Sequence, residues 1–565
     1  MPPCHRIRPP PRRGGARATI RRDARSTSAA RQPLWRPSDD PTPRCNTARM
    51  HPKDDCHGSP HDDGRTGTRR DTGPRAMIAA LLLAATAPGA VVVTTDGPVR
   101  GEPLPGGGGV FRGIRFAQPP VGPRRWQPPA PPSPHEEAVD ATAAHPACAQ
   151  PVYGDWNRAA SAGGSEDCLF LDIRSPGLDP AARRPVLVWI HGGGNRGGAG
   201  GGTVESHLTD GGIVLVSIQY RLGALGFLSH PALSAEQGGT SGNYGLMDQQ
   251  AALRWVRDNI AAFGGDPAHV TIAGGSAGAQ DVGLHLLAPA SRGLFARAIE
   301  QSGTPGFGVA PRTLAQNERL GTTIAATAGA PVAANAAALR ALPLARILAA
   351  QEAVDVPDLD DDSFIWLQAV VDGRFLRETP AAALAGGRVA RVPTIIGVNA
   401  QEFTGYAGQD PRPVIAREFP RTAARVRAVY RMTGPTPPAP DPRLGDVAMQ
   451  LGTDLVFRCP TIAVSKALAA AGSAVWQYQL DHARPGLPVT HGSELGFVFD
   501  RPVAGDPPLR RYWLNFIRTG DPNGTEVPRW PRYDAAGRSY LAFEQDRAVA
   551  RRDLRGAVCA GRAAP

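Results

Sequence analysis

Lysine is nearly absent: Lys53 and Lys466 are the only two in 565 residues. Neither lies in a glycine-rich segment, so a Walker-type phosphate loop, which needs a lysine to reach the phosphates, is excluded. No apolar run reaches about 20 residues, so no transmembrane helix and no stable membrane insertion are expected. Hydrophobic residues still make up 42%, enough for a sizeable core, which excludes wholesale disorder. Acidic groups are the scarcer charge. The 62 Lys+Arg against 51 Asp+Glu give a formal net charge of +11 and a pI of about 9.7. Such a balance invites a nucleic-acid or membrane-surface reading.

The position of the charge removes that reading. Residues 1–76 hold 17 Lys+Arg against 8 Asp, a net of +9. The other 489 residues carry 45 basic and 43 acidic groups, a net of +2. The leader is rich in Pro, Arg, Asp, Ser and Gly, and is expected to be disordered. Such a composition fits either a basic nucleic-acid-binding arm or a mobile tail. The acidic pairs Asp39-Asp40, Asp54-Asp55 and Asp62-Asp63 interrupt the positive charge and favour the tail, so no nucleic-acid partner is expected. Next, Arg75 precedes the apolar stretch Met77–Ala87, which ends in Ala85-Thr86-Ala87. That is the layout of a secretory signal, too short to span a bilayer as an ordinary helix. Residues 77–90 are therefore read as signal-like, translation is expected to begin near Met77, and the product to be secreted or periplasmic. Residues 91–565 form one domain.

Cysteine is scarce as well. Three of seven lie in the leader, leaving Cys148, Cys168, Cys459 and Cys559. An even count behind a secretory signal suits two disulfides, with three possible pairings; four buried thiols are the alternative.

What is present is an alternation of strands and helices. Val91–Val93, Pro98–Gly101, Val110–Phe116 and Leu169–Ile173 read as short strands. Continuous apolar runs at Pro185–Ile190 and Ile213–Ile218 read as parallel strands buried on both faces, as do Val270–Ala273, Val392–Val398 and Ala474–Leu480. A helix follows Asn243, with Leu253, Val256, Ile260 and Phe263 on one face, stopped by Gly264-Gly265. Ala277–Leu287 is helical again. The fold class is α/β: a mostly parallel sheet flanked by helices, with a small N-terminal antiparallel sheet.

Gly274-Gly275-Ser276-Ala277-Gly278 sits between a buried strand and a helix. In that context G-x-S-x-G is a nucleophile elbow. A serine needs a base, normally a histidine held by a carboxylate, in the chain order Ser, acid, His. After Ser276 only His285, His482 and His491 remain. His285 lies inside the elbow helix and reads as a packing residue. His491, in a glycine-bearing loop, is the candidate base, and His482 its weaker rival. Glu402, just past a buried strand, is the candidate acid. Asp360, Asp361, Asp362 and Asp372 compete, but that stretch reads as a solvated acidic loop. The oxyanion needs backbone N–H donors, which His191-Gly192-Gly193-Gly194 and Ala277 can supply. Gly192, Gly194 and Gly197 also match a dinucleotide-binding fingerprint. Its context fails: Asn195–Gly202 is too glycine-rich to begin a helix, and the next strand ends in Tyr220-Arg221, without an acid for a ribose.

These residues resemble the type-B carboxylesterases of the α/β-hydrolase superfamily, which include cholinesterases and para-nitrobenzyl-type esterases. The resemblance runs through most of residues 91–559. It is carried by Phe111-Arg112-Gly113-Ile114, Ser165-Glu166-Asp167-Cys168-Leu169, His191–Gly194, Gly242–Gln249, Phe263–Pro267, Gln301-Ser302-Gly303, Gly397-Val398-Asn399 with Glu402, His491-Gly492-Ser493-Glu494 and Thr519–Asn523. It implies a Ser276, Glu402, His491 triad, oxyanion donors at Gly193, Gly194 and Ala277, and disulfides Cys148–Cys168 and Cys459–Cys559. It also implies no cofactor, no metal and a small-molecule ester substrate. Two departures stand out. Gly275 replaces the usual glutamate before the serine, which bears on rate and substrate preference. Asn195 replaces the usual aromatic after the glycine run, which is expected to alter the acyl or alcohol pocket. A catalytically weak binding or adhesion protein on the same fold is the alternative function; the intact Ser, Glu and His argue against it.

Overall fold

A computed structural model of the chain describes residues 89–308, 310–354, 369–402 and 408–561. The basic leader and the signal-like segment through Pro88 lie outside the described residues, as do Asp360, Asp361 and Asp362.

Twelve strands form the path of one sheet. They are β1 (Ala90–Thr94), β2 (Gly97–Leu104), β3 (Gly108–Arg115), β4 (Phe170–Ser175), β5 (Arg184–Ile190), β6 (Val214–Ile218), β7 (Gly265–Gly275), β8 (Arg297–Gln301), β9 (Thr394–Asn399), β10 (Val475–Leu480), β11 (Ser539–Glu544) and β12 (Arg547–Arg552). Their spatial order is β1-β2-β3-β4-β6-β5-β7-β8-β9-β10-β11-β12. From β6 to β11 every neighbouring pair is parallel. The N-terminal antiparallel strands β1 to β3 join this sheet through β4. The strand read as Val270–Ala273 is longer at both ends.

The continuous apolar runs are explained by burial on both faces. Val186, Val188 and Ile190 of β5 pack into one core with the helix α2 (Tyr244–Asn259). Leu187 and Trp189 point the other way, into a core closed by α7 (Leu509–Thr519). Full burial of each such side chain is worth about 1.5–3 kcal/mol. The predicted face of α2 is intact: Leu253, Val256, Ile260 and Phe263 are all fully buried. The last two lie in a short 3₁₀ turn (Ile260–Phe263), which Gly264 ends at φ 78°.

Parallel strands put their C-terminal ends on one edge of the sheet, where loops can carry chemistry. Four such ends matter. The glycine loop follows β5, the serine elbow follows β7, Glu402 follows β9 and His491 follows β10. The four cysteines pair as Cys148–Cys168 and Cys459–Cys559, with Cα separations of 4.9 and 5.0 Å. Among the described residues no helix is long and apolar enough to cross a membrane.

Candidate active site

Ser276 sits between β7 and α3 (Ala277–Leu287) with φ 57° and ψ −126°. Such a backbone is strained for a residue with a Cβ and is held only by its surroundings. Here the serine N–H donates to the Gln301 carbonyl at 2.8 Å, and its carbonyl accepts from the Gln280 N–H at 3.0 Å. The elbow closes because its outer glycines lack side chains. A Cβ on Gly274 would come within 2.3 Å of the Gly278 backbone, and one on Gly278 within 2.1 Å of the Ile190 carbonyl. The turn places Ser276 at the head of α3, where the first N–H groups have no partner within the helix. The N–H of Ala277 is the first of them.

The glycine loop lies against Ser276: a Cβ on Gly192 would stand 3.0 Å from that of the serine. Gly193, Gly194 and Asn195 all have positive φ, at 109°, 66° and 54°, a left-handed run that glycine adopts without strain. The loop is clamped from outside by Gln150. Its Oε1 accepts from the Gly198 N–H at 2.7 Å, and its Nε2 donates to the Gly198 carbonyl at 2.8 Å.

His491 Nδ1 is 2.7 Å from Glu402 Oε2. Its backbone N–H also donates to the Glu402 carbonyl at 3.2 Å. Glu402 is buried, with Oε1 accepting the Asn399 backbone N–H at 2.7 Å. Burial opposes charge on His491, but the hydrogen bond and charge of Glu402, with the charge of Glu494 behind it, outweigh burial and raise the imidazole above its usual value of 6.5. This pairing fixes which ring nitrogen faces the acid.

Glu494 completes a buried layer that the sequence reading quoted in a motif without giving it a role. It stands on α6 (Ser493–Phe499). Its Oε2 accepts from Asn399 Nδ2 at 2.6 Å, and its Oε1 from the Ser302 hydroxyl at 3.3 Å. Burial, followed by the neighbouring Glu402 charge, raises its carboxyl above the ordinary range. Histidine and acids at the ends of neighbouring parallel strands are the only signal that could have flagged it.

The rival residues fall elsewhere. His285 is fully buried in α3, bonded to Ser291 Oγ at 2.9 Å and Gln249 Oε1 at 3.0 Å, as a packing residue would be. His482 tilts against Phe497. Two expectations need correcting. Asp372 is not part of a solvated loop: it is buried, and its Oδ1 accepts the N–H groups of Arg374, Phe375 and Leu376. Asn195, expected to alter the acyl or alcohol pocket by replacing an aromatic, does not itself face open space. It is fully buried and turned into the fold, with its Nδ2 on Asp281 Oδ1 at 3.0 Å. A polar amide after the glycine run takes a buried acceptor where an aromatic could not.

Among the described residues no group of three or more His, Cys, Asp or Glu is placed to hold a metal ion. A half-buried histidine paired with a buried carboxylate, at the same sheet edge as a serine elbow and a glycine loop, can carry acyl transfer.

Comparison with known proteins agrees with this chemistry. The Carboxylesterase family matches residues 88–560. A protein named fumonisin B1 esterase from Sphingopyxis macrogoltabida is 34% identical over 481 residues, covering 79% of this chain and 84% of that protein. Carboxylesterase 4A of Bos taurus is 34% identical over 486 residues, covering 75% and 85%. Among solved structures, the Geobacillus stearothermophilus carboxylesterase EST55 superposes with a TM-score of 0.71 at 34% identity, covering 84% of this chain and all of that one. A thermophilic PNB esterase gives a TM-score of 0.71 at 29% identity, with 83% and 99% covered.

Proposed function

The chain belongs to the carboxylesterase family and is a carboxylic ester hydrolase, and we propose that it cleaves small-molecule esters through Ser276, Glu402 and His491. The observation that carries this reading is the 2.7 Å contact of His491 Nδ1 with Glu402 Oε2, at the same sheet edge as the serine elbow.

His491 Nε2 takes the proton of Ser276 Oγ, and Oγ forms a bond to the ester carbonyl carbon. The carbonyl π electrons move onto oxygen, where the N–H groups of Gly193, Gly194 and Ala277 hold the charge. Collapse breaks the bond to the alcohol oxygen, which leaves with the proton from His491. Water, deprotonated by the same imidazole, then releases the acid from Ser276. Glu402 keeps Nδ1 protonated and stabilises the imidazolium.

Ser276→Ala tests the assignment. Hydrolysis of p-nitrophenyl esters is expected to vanish, together with covalent labelling of residue 276 by a fluorophosphonate. Undiminished hydrolysis by Ser276→Ala overturns it.

The two disulfides support a working place in an oxidising compartment, reached through the signal-like segment 77–87, with residues 91–565 as one catalytic domain. N-terminal sequencing of the mature protein is expected to start after Ala87. A mature chain that still carries residues 1–76 refutes the export route.

A further inference from the structure

Asn195 follows the two oxyanion glycines and is held through both ends of its side-chain amide and through its carbonyl. Its Nδ2 donates to Asp281 Oδ1 at 3.0 Å. Its carbonyl accepts the Gly223 N–H at 2.7 Å. The single proton of the Tyr220 hydroxyl is shared between the His191 carbonyl at 2.7 Å and Asn195 Oδ1 at 3.2 Å. Asp281 stands on α3, five residues after Ser276, and its second oxygen accepts from Gln249 Nε2 at 2.6 Å. Asn195, Asp281, Tyr220 and Gln249 are all fully buried.

One carboxylate therefore joins the glycine loop to the helix that begins at Ala277. We propose that Asp281 is a positioning residue for the oxyanion hole: by holding Asn195 it fixes the N–H groups of Gly193 and Gly194 relative to that of Ala277. This rests on the oxyanion assignment of the proposed function. The physical need is clear. A loop carrying Gly192, Gly193, Gly194, Gly197 and Gly198 has more backbone freedom to lose than any other kind of loop. Donors aimed at a developing charge contribute only while their positions are held. Gln150 holds the far end of the loop, and Asp281 holds the end that faces the serine.

The tether also responds to pH. Each oxygen of Asp281 faces an N–H, which fits the ionised, acceptor-only carboxylate. Burial pushes its pKa up to about 7, against the hydrogen bonds of Asn195, Gln249 and Gln280. Protonation turns one acceptor into a donor that meets an N–H. The surrounding groups do not mimic this titration. Burial pushes the Tyr220 phenol well above 10 and holds the His285 imidazole at about 3. Asp248, next to Gln249 on α2, is also raised by burial, but it is bonded to the Arg221 guanidinium, which opposes the shift.

The test uses the full chain and p-nitrophenyl ester turnover per site labelled by a fluorophosphonate. Asp281→Ala is expected to lower kcat about 100-fold, the scale of a lost oxyanion donor, with KM within about 2-fold. Asp281→Asn, neutral at every pH like the protonated acid, keeps an acceptor for Asn195 but sets an N–H against that of Gln249, and is expected to lower kcat about 10-fold, the scale of one lost hydrogen bond. On the acid limb, log kcat against pH is expected to steepen toward a slope of about 2 in the parent, from His491 and Asp281 together, and to keep a slope of about 1 in Asp281→Asn. Asp281→Ala with parental kcat per labelled site overturns the proposal. So does an acid limb of the same slope in the parent and in Asp281→Asn, which decides the matter alone if Asp281→Ala does not fold. Retained activity in Ser276→Ala instead defeats the reading of the site on which the proposal stands.

Discussion

Glu402 Oε2 and His491 Nδ1 stand 2.7 Å apart, and the same two residues are joined by a backbone hydrogen bond of 3.2 Å. The pair is thus held at two levels, by side chain and by main chain, although 89 residues separate them in sequence. The acid orients the ring, and the backbone bond orients the loop that carries the ring.

The first prediction follows from charge. In the proposed mechanism His491 must be neutral to act as the base, and Glu402 and Glu494 outweigh burial and raise its pKa above 6.5. The acid limb of kcat/KM should therefore have its midpoint above pH 6.5. Glu494→Gln removes one of the negative charges that raise the imidazole, so the midpoint should move down while activity at high pH persists. Glu402→Gln removes the partner itself and should cost kcat on the order of 10⁴-fold, the scale known for such triads. The linked stability has the opposite sense. A group with a raised folded pKa stabilises the fold below the unfolded value near 6.5, and that contribution is lost as pH rises through the folded value. A midpoint at or below 6.5 in the parent enzyme refutes this account.

The elbow makes a second, contrasting prediction. A Cβ on Gly275 would meet Leu495 and Trp189 at 3.5 Å, an ordinary contact. Gly275→Ala should fold and keep kcat/KM within about 3-fold. A Cβ on Gly278 would stand 2.1 Å from the Ile190 carbonyl, which is main chain and has nowhere to go. Gly278→Ala should lose the elbow, with activity down more than about 100-fold and a lowered melting temperature. Equal effects at the two positions contradict the packing described.

Much of this architecture was legible in the sequence because parallel strands buried on both faces leave long apolar runs. Pro185–Ile190 and Ile213–Ile218 could hardly be anything else. β8 was not legible, since Arg-Ala-Ile-Glu-Gln shows neither alternation nor an apolar run. Its Arg297 and Glu300 are nevertheless buried, because neighbouring strands enclose it on both sides. The edge pair β11 and β12 was missed for a related reason: β12 exposes most of its side chains. At the site, the elbow, the acid and the histidine carry their own signals of residue type and order. Asn195 does not. Its direction is decided by a partner 86 residues away, and its place in a motif pointed only to an altered acyl or alcohol pocket. Glu494 was hidden in the same way, since a buried carboxylate looks like any acidic residue until its surroundings are known.

The third prediction separates the two disulfides. Cys459–Cys559 ties α5 (Cys459–Ala470) to the chain end across 100 residues. Cys148–Cys168 closes a shorter loop, of separation 20, that holds Gln150 and Trp156 against the glycine loop. The Trp156 ring would stand 3.2 Å from a Cβ on Gly193. Loop-closure entropy predicts a loss of about 4–5 kcal/mol for the long loop and about 3 kcal/mol for the short one. Replacing Cys459 and Cys559 by alanine should therefore lower stability more, with kcat per folded molecule unchanged. Replacing Cys148 and Cys168 should lower stability less but reduce kcat, because the Gln150 clamp on Gly198 loosens. Denaturant titration and turnover on the same samples distinguish the two, and identical kcat in both variants would falsify the link between the short disulfide and the oxyanion loop.

The last prediction concerns the ion pair beneath the site. Arg221 donates to Asp248 through Nε at 2.7 Å and Nη2 at 2.6 Å, and its backbone N–H adds a third bond at 3.0 Å. Both side chains are almost wholly shielded, at 4% and 0% exposure. The pair locks the segment after β6 onto α2, and that segment carries Tyr220 and Gly223, which join Asp281 in gripping Asn195. Removing one partner leaves the other charge buried, which costs about 3–5 kcal/mol. Asp248→Ala should therefore destabilise the protein severely. The double variant Arg221→Met/Asp248→Leu leaves no stranded charge and should recover much of that loss. Stability alone does not exhaust the pair's role, because the third hydrogen bond fixes the main chain at Arg221. The recovered double variant should still show a reduced kcat, since the backbone carrying Tyr220 has lost its anchor. Melting temperature and turnover per labelled site, measured on both variants, check this: a double variant with parental kcat would mean that the ion pair supports the fold and not the oxyanion loop.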